Sequence, residues 1–274
     1  MRIALFLCNA VDPSLGRLDY ASLSQQALME MTIEGIVNKE KICGDRYEPK
    51  DIEEWKGLAF DKDKVVGIDW IEYDLEGSLH LEWLPSAVLK FAVIRNRLSG
   101  TLDFAYLPVE LMVIRLENNT FTGPIDLENL PLNMEELSVP TNLLTGSLKL
   151  GRLPEALTSV YASENKFSGS IDLTRLPTAL ELLNIGMNQL VGSVVLTQLP
   201  KTFQWLYLND NKLSGYLDIT KLPPNMAGFR VDRNFFSNRV DLSQLPQGFK
   251  RFYLRDKKQP GEVYLQMSPL NGYD

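Results

Sequence analysis

From Pro154 the chain places apolar residues at Leu157, Val160, Ala162, Phe167, Ile171, Leu173 and Leu176. Val160 and Ala162 are two apart, the period of a strand, so both face one side and Tyr161 between them faces the other. Asn165 follows the strand. Gly169 comes next, where a tight backbone suits a residue without Cβ. Ile171 and Leu173 alternate again and predict a second short extended segment. The Leu176-Pro177 pair ends the unit, since proline fixes φ and removes a donor where no ladder is needed.

This unit recurs. Pro85, Pro108, Pro131, Pro154, Pro177, Pro200, Pro223 and Pro246 step by 23 residues. Asn96, Asn119, Asn142, Asn165, Asn188, Asn211 and Asn234 step likewise, and so do Gly77, Gly100, Gly123, Gly146, Gly169, Gly192 and Gly215. Three interleaved series of one period mark an internal repeat. Each copy predicts one strand, and successive strands stack in parallel about 4.8 Å apart. The asparagine amides can donate to and accept from the backbone of adjacent turns, which predicts a structural ladder along the stack. One copy buries about seven apolar side chains at roughly 1.5–3 kcal/mol each. Ordering its backbone costs roughly 1–2 kcal/mol per residue, so a copy folds only against its neighbours.

The series Leu-x-x-Leu-x-Leu-x-x-Asn-x-Leu resembles the leucine-rich-repeat signature. Phe167-Ser168-Gly169-Ser170-Ile171 resembles the plant-type subclass, whose repeats carry Leu-x-Gly-x-Ile-Pro. Asp103, Asp126, Asp172, Asp218 and Asp241 stand where that subclass has proline, and the repeat is one residue shorter. In this it resembles repeats of large protist leucine-rich-repeat families. The resemblance implies an α/β solenoid: a right-handed superhelix, mostly β and loop, with a parallel sheet on its concave face and a helical N-terminal cap.

The resemblance runs from about Val65 to Met267 as nine repeats. The end copies are degenerate: Tyr73 and Lys257 replace asparagine, and Ser268 replaces leucine. The expected division is a cap over 1–61, repeats over 62–268 and a tail over 269–274. Within the cap, Leu28, Met31 and Ile36 have helical spacing from Ser24 to Ile36. Trp55-Lys56-Gly57-Leu58-Ala59-Phe60-Asp61, with Val65-Val66, resembles the plant-type cap without its paired cysteines.

Phase assigns the outward positions of the expected sheet. Its C-terminal half presents Tyr161, Trp205, Tyr207, Arg230, Asp232, Arg251, Tyr253 and Arg255 as candidate partner-binding residues. Tyr, Trp and Arg are enriched at interface hot spots. The expected function is a non-catalytic module that binds a protein or peptide on the concave face. Simple packing of these side chains over the sheet stays open. So do glycan binding by Trp205, Tyr207 and Asn184, a regulatory or targeting subunit of an enzyme complex, and a structural surface role.

Composition narrows the choice. The 274 residues carry a net charge of -7, which argues against nucleic acid and anionic membrane surfaces. Residues 1–61 hold seven basic and eleven acidic residues, whereas 246–274 hold five basic and three acidic ones. That polarity could steer an acidic partner to the C-terminal end. Cys8 and Cys43 make neither a disulfide framework nor a metal spacing, and their scarcity leans toward a reducing compartment. The apolar run Ile3–Cys8 falls just short of a secretory core, so location stays open. His80 is the only histidine, which leaves a histidine-based triad or metal site without a second member. The aspartate row is interrupted by Lys149 and Val195 and is expected to cap turns rather than hold calcium. No cofactor, metal or membrane insertion is expected, and oligomeric state is left open. Asn118-Asn119-Thr120 is a glycosylation sequon that matters only outside the cell.

Overall fold

The computed structural model describes residues 23–237 and 245–246, with the backbone of Arg251–Leu254 and Val263–Leu265. Val160 turns inward and is fully buried, while Ser159 and Tyr161 beside it stay partly exposed. The same alternation builds one long sheet. Its strands are β1 Leu58–Asp61, β2 Lys64–Asp69, β3 Lys90–Ala92, β4 Val113–Arg115, β5 Glu136–Ser138, β6 Ser159–Tyr161, β7 Leu182–Asn184, β8 Trp205–Tyr207, β9 Gly228–Arg230, β10 Arg251–Leu254 and β11 Val263–Leu265.

Spatial order follows chain order. The outermost pairs, β1 with β2 and β10 with β11, are antiparallel. Every pair between them is parallel. Partners lie one repeat apart, so Tyr161 faces Asn184 and Asn184 faces Tyr207. The molecule is therefore a solenoid, mostly strand and loop, with one strand of the sheet per turn.

The repeating leucines and phenylalanines form a continuous core. Phe121, Phe167, Phe203 and Phe229 are among its largest fully buried side chains. At the N-terminal end Trp70 meets Phe91 edge-on, with centroids 6.1 Å apart.

The asparagines pin each turn to the one before. Asn165 Nδ2 donates to the Val139 carbonyl at 2.9 Å and to Ser163 at 3.1 Å, while its Oδ1 accepts from the Leu144 N–H at 3.0 Å. Asn96, Asn119, Asn142, Asn188, Asn211 and Asn234 make the equivalent pairs. All are buried. The residue before each of them is left-handed, from Arg95 through Thr141 to Arg233, with φ between 53° and 57°. That turns the chain out of the sheet and brings the amide under its neighbour. For β-branched Thr141, at φ 54°, the conformation is strained.

One expectation needs correction and another is refined. The helix spans Gln25–Thr32 and does not reach Ile36. Ser24 caps it by accepting from the Ala27 N–H at 3.2 Å. Thr32, Ile33 and Gly35 are weak helix formers, and the following backbone is claimed by the repeat edge. Ile36 bridges Gly77, and the Val37 N–H donates to the Glu76 carbonyl at 2.8 Å. Strand pairing on this side of the turn also sits earlier than Ile171–Leu173. The paired residues are Ser168–Gly169, Gln189–Gly192, Lys212–Gly215 and Phe235–Phe236. Ile171 and Leu173 are buried on either side of exposed Asp172 without strand pairing. Asp172 Oδ1 accepts from the Thr174 N–H at 2.9 Å and closes the turn that follows at residues 174–175.

Candidate functional site

Most of the described turns leave the side chains that flank the buried strand residue at least partly exposed. On β8 these are Trp205 and Tyr207. Their rings lie parallel, 2° apart in tilt and 6.3 Å between centroids. Gly228 on β9 is the register partner of Trp205. A Cβ there would come within 2.3 Å of Trp205 Cε3, so the indole rests over bare backbone. Arg230 is the register partner of Tyr207. Its Nε and Nη2 each donate to the Asp232 carboxylate at 3.2 Å. Asp232 is only 8% exposed, so its carboxylate orients the guanidinium more than it meets solvent.

The structure thus brings Trp205, Tyr207, Arg230 and Asp232 together on adjacent strands. Tyr161 stands two strands away, roughly 10 Å at the usual strand spacing. Asn184 lies between, its Oδ1 accepting from the Gly186 N–H at 3.3 Å. The backbones of Arg251 and Tyr253 continue the row beside Gly228 and Arg230. Arg255 lies outside the described residues.

The other end of the same face is built differently. Gly67, Lys90, Ala92, Val113 and Arg115 line an open cleft of about 500 Å³, with Leu58 and Ala59 of β1 along it. Sequence reasoning missed this cleft. Its signal was the small size of Gly67 and Ala92 at positions that carry Trp205 and Tyr207 further along. Arg115 is held from β5: its Nε and Nη2 both donate to Glu136 at 2.7 Å. That bond raises the guanidinium further above its ordinary range. Next to it on the ridge, Glu117 keeps Oε2 out of solvent with no hydrogen-bond partner among the described residues.

Away from the sheet face, Asp103, Asp126, Asp172 and Asp218 each accept from the backbone N–H two residues on, at 2.9 Å. The row is a set of Asx turns; Asp241 lies outside the described residues. Among the described residues no three His, Cys, Asp or Glu side chains gather as a metal site would need. His80 contacts Glu82 at 3.3 Å, off the sheet. Cys43 is buried, and desolvation pushes its thiol pKa up. No described helix is long and apolar enough to cross a membrane.

No family model matches the sequence, and no curated protein matches it. Solved structures do. The crystal structure of PEPR1–AtPEP1 is similar at 18% identity with a TM-score of 0.56, over 79% of this chain and 36% of that one. A plant ice-binding protein is similar at 17% identity and a TM-score of 0.50, over 82% of this chain and 89% of that one. Pollen Receptor Kinase 3 is similar at 22% identity and a TM-score of 0.50, over 80% and 97%. The chain spans about a third of the length of the first of these. Such identities speak to the fold. The fold is a repeat solenoid and, by its asparagine-pinned turns and these neighbours, a leucine-rich-repeat solenoid.

Proposed function

We propose that this chain is a non-catalytic interaction module that holds a protein or peptide partner against the C-terminal half of its open sheet face. The observation that carries the reading is the plate formed by Trp205 and Tyr207 with Arg230 beside it. A partly exposed parallel aromatic pair, seated over a glycine and bordered by an oriented guanidinium, offers apolar area at little cost in side-chain entropy. Such side chains dominate interface energetics. PEPR1, which shares the fold, was crystallised as PEPR1–AtPEP1. An ice-binding protein shares it too, so the fold alone does not choose a function and the side chains must.

The test is affinity capture from native extract, comparing the chain with a Trp205→Ala, Tyr207→Ala, Arg230→Ala variant of unchanged melting curve. A partner recovered only by the parent chain supports the reading. Losing hot-spot contacts of this kind should weaken that partner at least about tenfold. Equal recovery by both baits overturns it.

A further inference from the structure

We propose that the cleft at the N-terminal end of the sheet face binds a small amphiphilic anion, an apolar body carrying one carboxylate-type head. The inference stands apart from the partner reading, because none of its residues belongs to the aromatic plate.

The shape argues first. At about 500 Å³ the cleft falls within the range of small-molecule sites. It exists because the sequence puts Gly67 and Ala92 where bulk would close it, and because the sheet ends in the antiparallel β1–β2 hairpin. That hairpin adds a wall which the parallel strands β3 to β9 lack. Only small residues permit it: a Cβ on Gly67 would stand 3.2 Å from the Ala59 Cβ. Between this wall and β4 the surface is mainly apolar, with Leu58, Ala59, Ala92 and Val113 along it.

Charge then selects the occupant. Three charged side chains line the cleft. Arg115 is neutralised by its two-pronged pair with Glu136. Asp69 Oδ1 accepts from the Ile71 N–H at 3.3 Å, which turns that carboxylate oxygen toward its own backbone. Lys90 is exposed and has no ion-pair partner among the described residues. It stands on β3, in register with Gly67 on one side and Val113 on the other. With Arg115 cancelled by Glu136, the cleft holds one carboxylate, Asp69, turned to its own backbone, and one cation without an ion pair among the described residues, Lys90. An apolar body over Ala92 and Val113 would place an anionic head beside its ammonium.

The measurement is isothermal titration of the whole chain with decanoate and, separately, with decyltrimethylammonium, both below micelle formation. Decanoate should bind one site, at least about tenfold tighter than the cation. Lys90→Glu, a surface change, should reverse that order. Ala92→Trp should fill the cleft and abolish binding of decanoate, with circular dichroism showing that the fold is kept. The same heat from both amphiphiles, or none from either, overturns the proposal. So does decanoate binding that survives Lys90→Glu. Partner capture by the Trp205, Tyr207, Arg230 variant reads the other end of the face, so either idea can fail without the other.

Discussion

The two ends of the sheet face share a backbone and differ in side-chain volume at the same register positions. At the C-terminal end Trp205 lies over Gly228 and beside Tyr207, and the surface is filled. At the N-terminal end Gly67 and Ala92 occupy the corresponding places, and the surface opens into a cleft. One glycine admits a ring from the neighbouring strand. The other admits a hairpin. The repeat supplies an unvarying frame, and the surface differs from end to end by which of its outward positions are left small.

That comparison supposes a frame common to both halves, and Asn165 near their boundary is where to break it. Asn165→Ala would strand the buried Leu144 N–H and take one of two donors from the Val139 carbonyl, which keeps Asn142 Nδ2 at 3.2 Å. The stranded N–H costs about 1–3 kcal/mol and the lost bond to the carbonyl about 0.5–1.5 more, so a loss of roughly 1.5–4.5 kcal/mol is expected. Because solenoid stability is summed over neighbouring turns, the two halves should also uncouple. Trp205 fluorescence and a probe placed in the cap would then report separate urea transitions, where the parent chain gives one. A single shared transition in the variant would mean that the ladder does not carry the coupling.

Gly228→Val tests the filled end directly. Gly228 is buried, and the new Cβ would overlap the indole, so Trp205 must swing outward. Exposing most of a tryptophan costs about 1–3 kcal/mol, partly offset by valine's preference for strands. Trp205 emission should shift to the red, while decanoate binding at the far cleft stays within about twofold of the parent, as distant sites are independent. An unshifted spectrum would show that glycine is not what seats the ring.

How legible all this was depends on whether a feature follows the period. The strands, the buried positions and the asparagine ladder all do, because each is a local pattern copied every 23 residues. The cleft does not. It needs β1, an antiparallel strand outside the repeat, whose exposed Ala59 and Phe60 have no counterpart in later copies. The helix end was lost for a similar reason: Ile36 has helical spacing, yet a non-local bridge to Gly77 takes it. The Arg230–Asp232 pair was within reach, since residues two apart on a strand share a face. Whether the pair opens to a partner or closes on itself is a matter of burial, which spacing does not show.

A smaller, stabilising change sharpens the picture of the frame. Thr141 is the β-branched residue among the left-handed positions, and asparagine tolerates that region far better. Thr141→Asn should add about 0.5–1 kcal/mol and raise Tm by roughly 1–4 °C. The exposed bond from Thr141 Oγ1 to Glu164 at 3.1 Å would be lost, which trims the gain. Calorimetry that shows Thr141→Asn to be the less stable chain would mean that this bond outweighs the strain.

Acid should act on both ends of the frame alike, and by the smallest amount. In the C-terminal half the Thr174 and Thr220 hydroxyls, then their N–H groups, hold Asp172 and Asp218 below the usual carboxylate range. In the N-terminal half the Glu128 N–H and then the Asn129 amide do the same for Asp126. A depressed folded pKa stabilises above the unfolded pKa, near 4, and that contribution is lost as pH falls through the folded value. Tm should therefore be level down to about pH 4 and decline below it. Because these carboxylates are exposed or partly exposed and screened by solvent, each contributes little. Asp172→Asn with Asp218→Asn keeps an acceptor oxygen but removes the titration, so its acid decline should be shallower than the parent's. Asp126→Asn should flatten the profile less, since one carboxylate is removed instead of two. Identical acid profiles for the parent and the double variant would show that the Asx row contributes turn geometry and no charge-dependent stability.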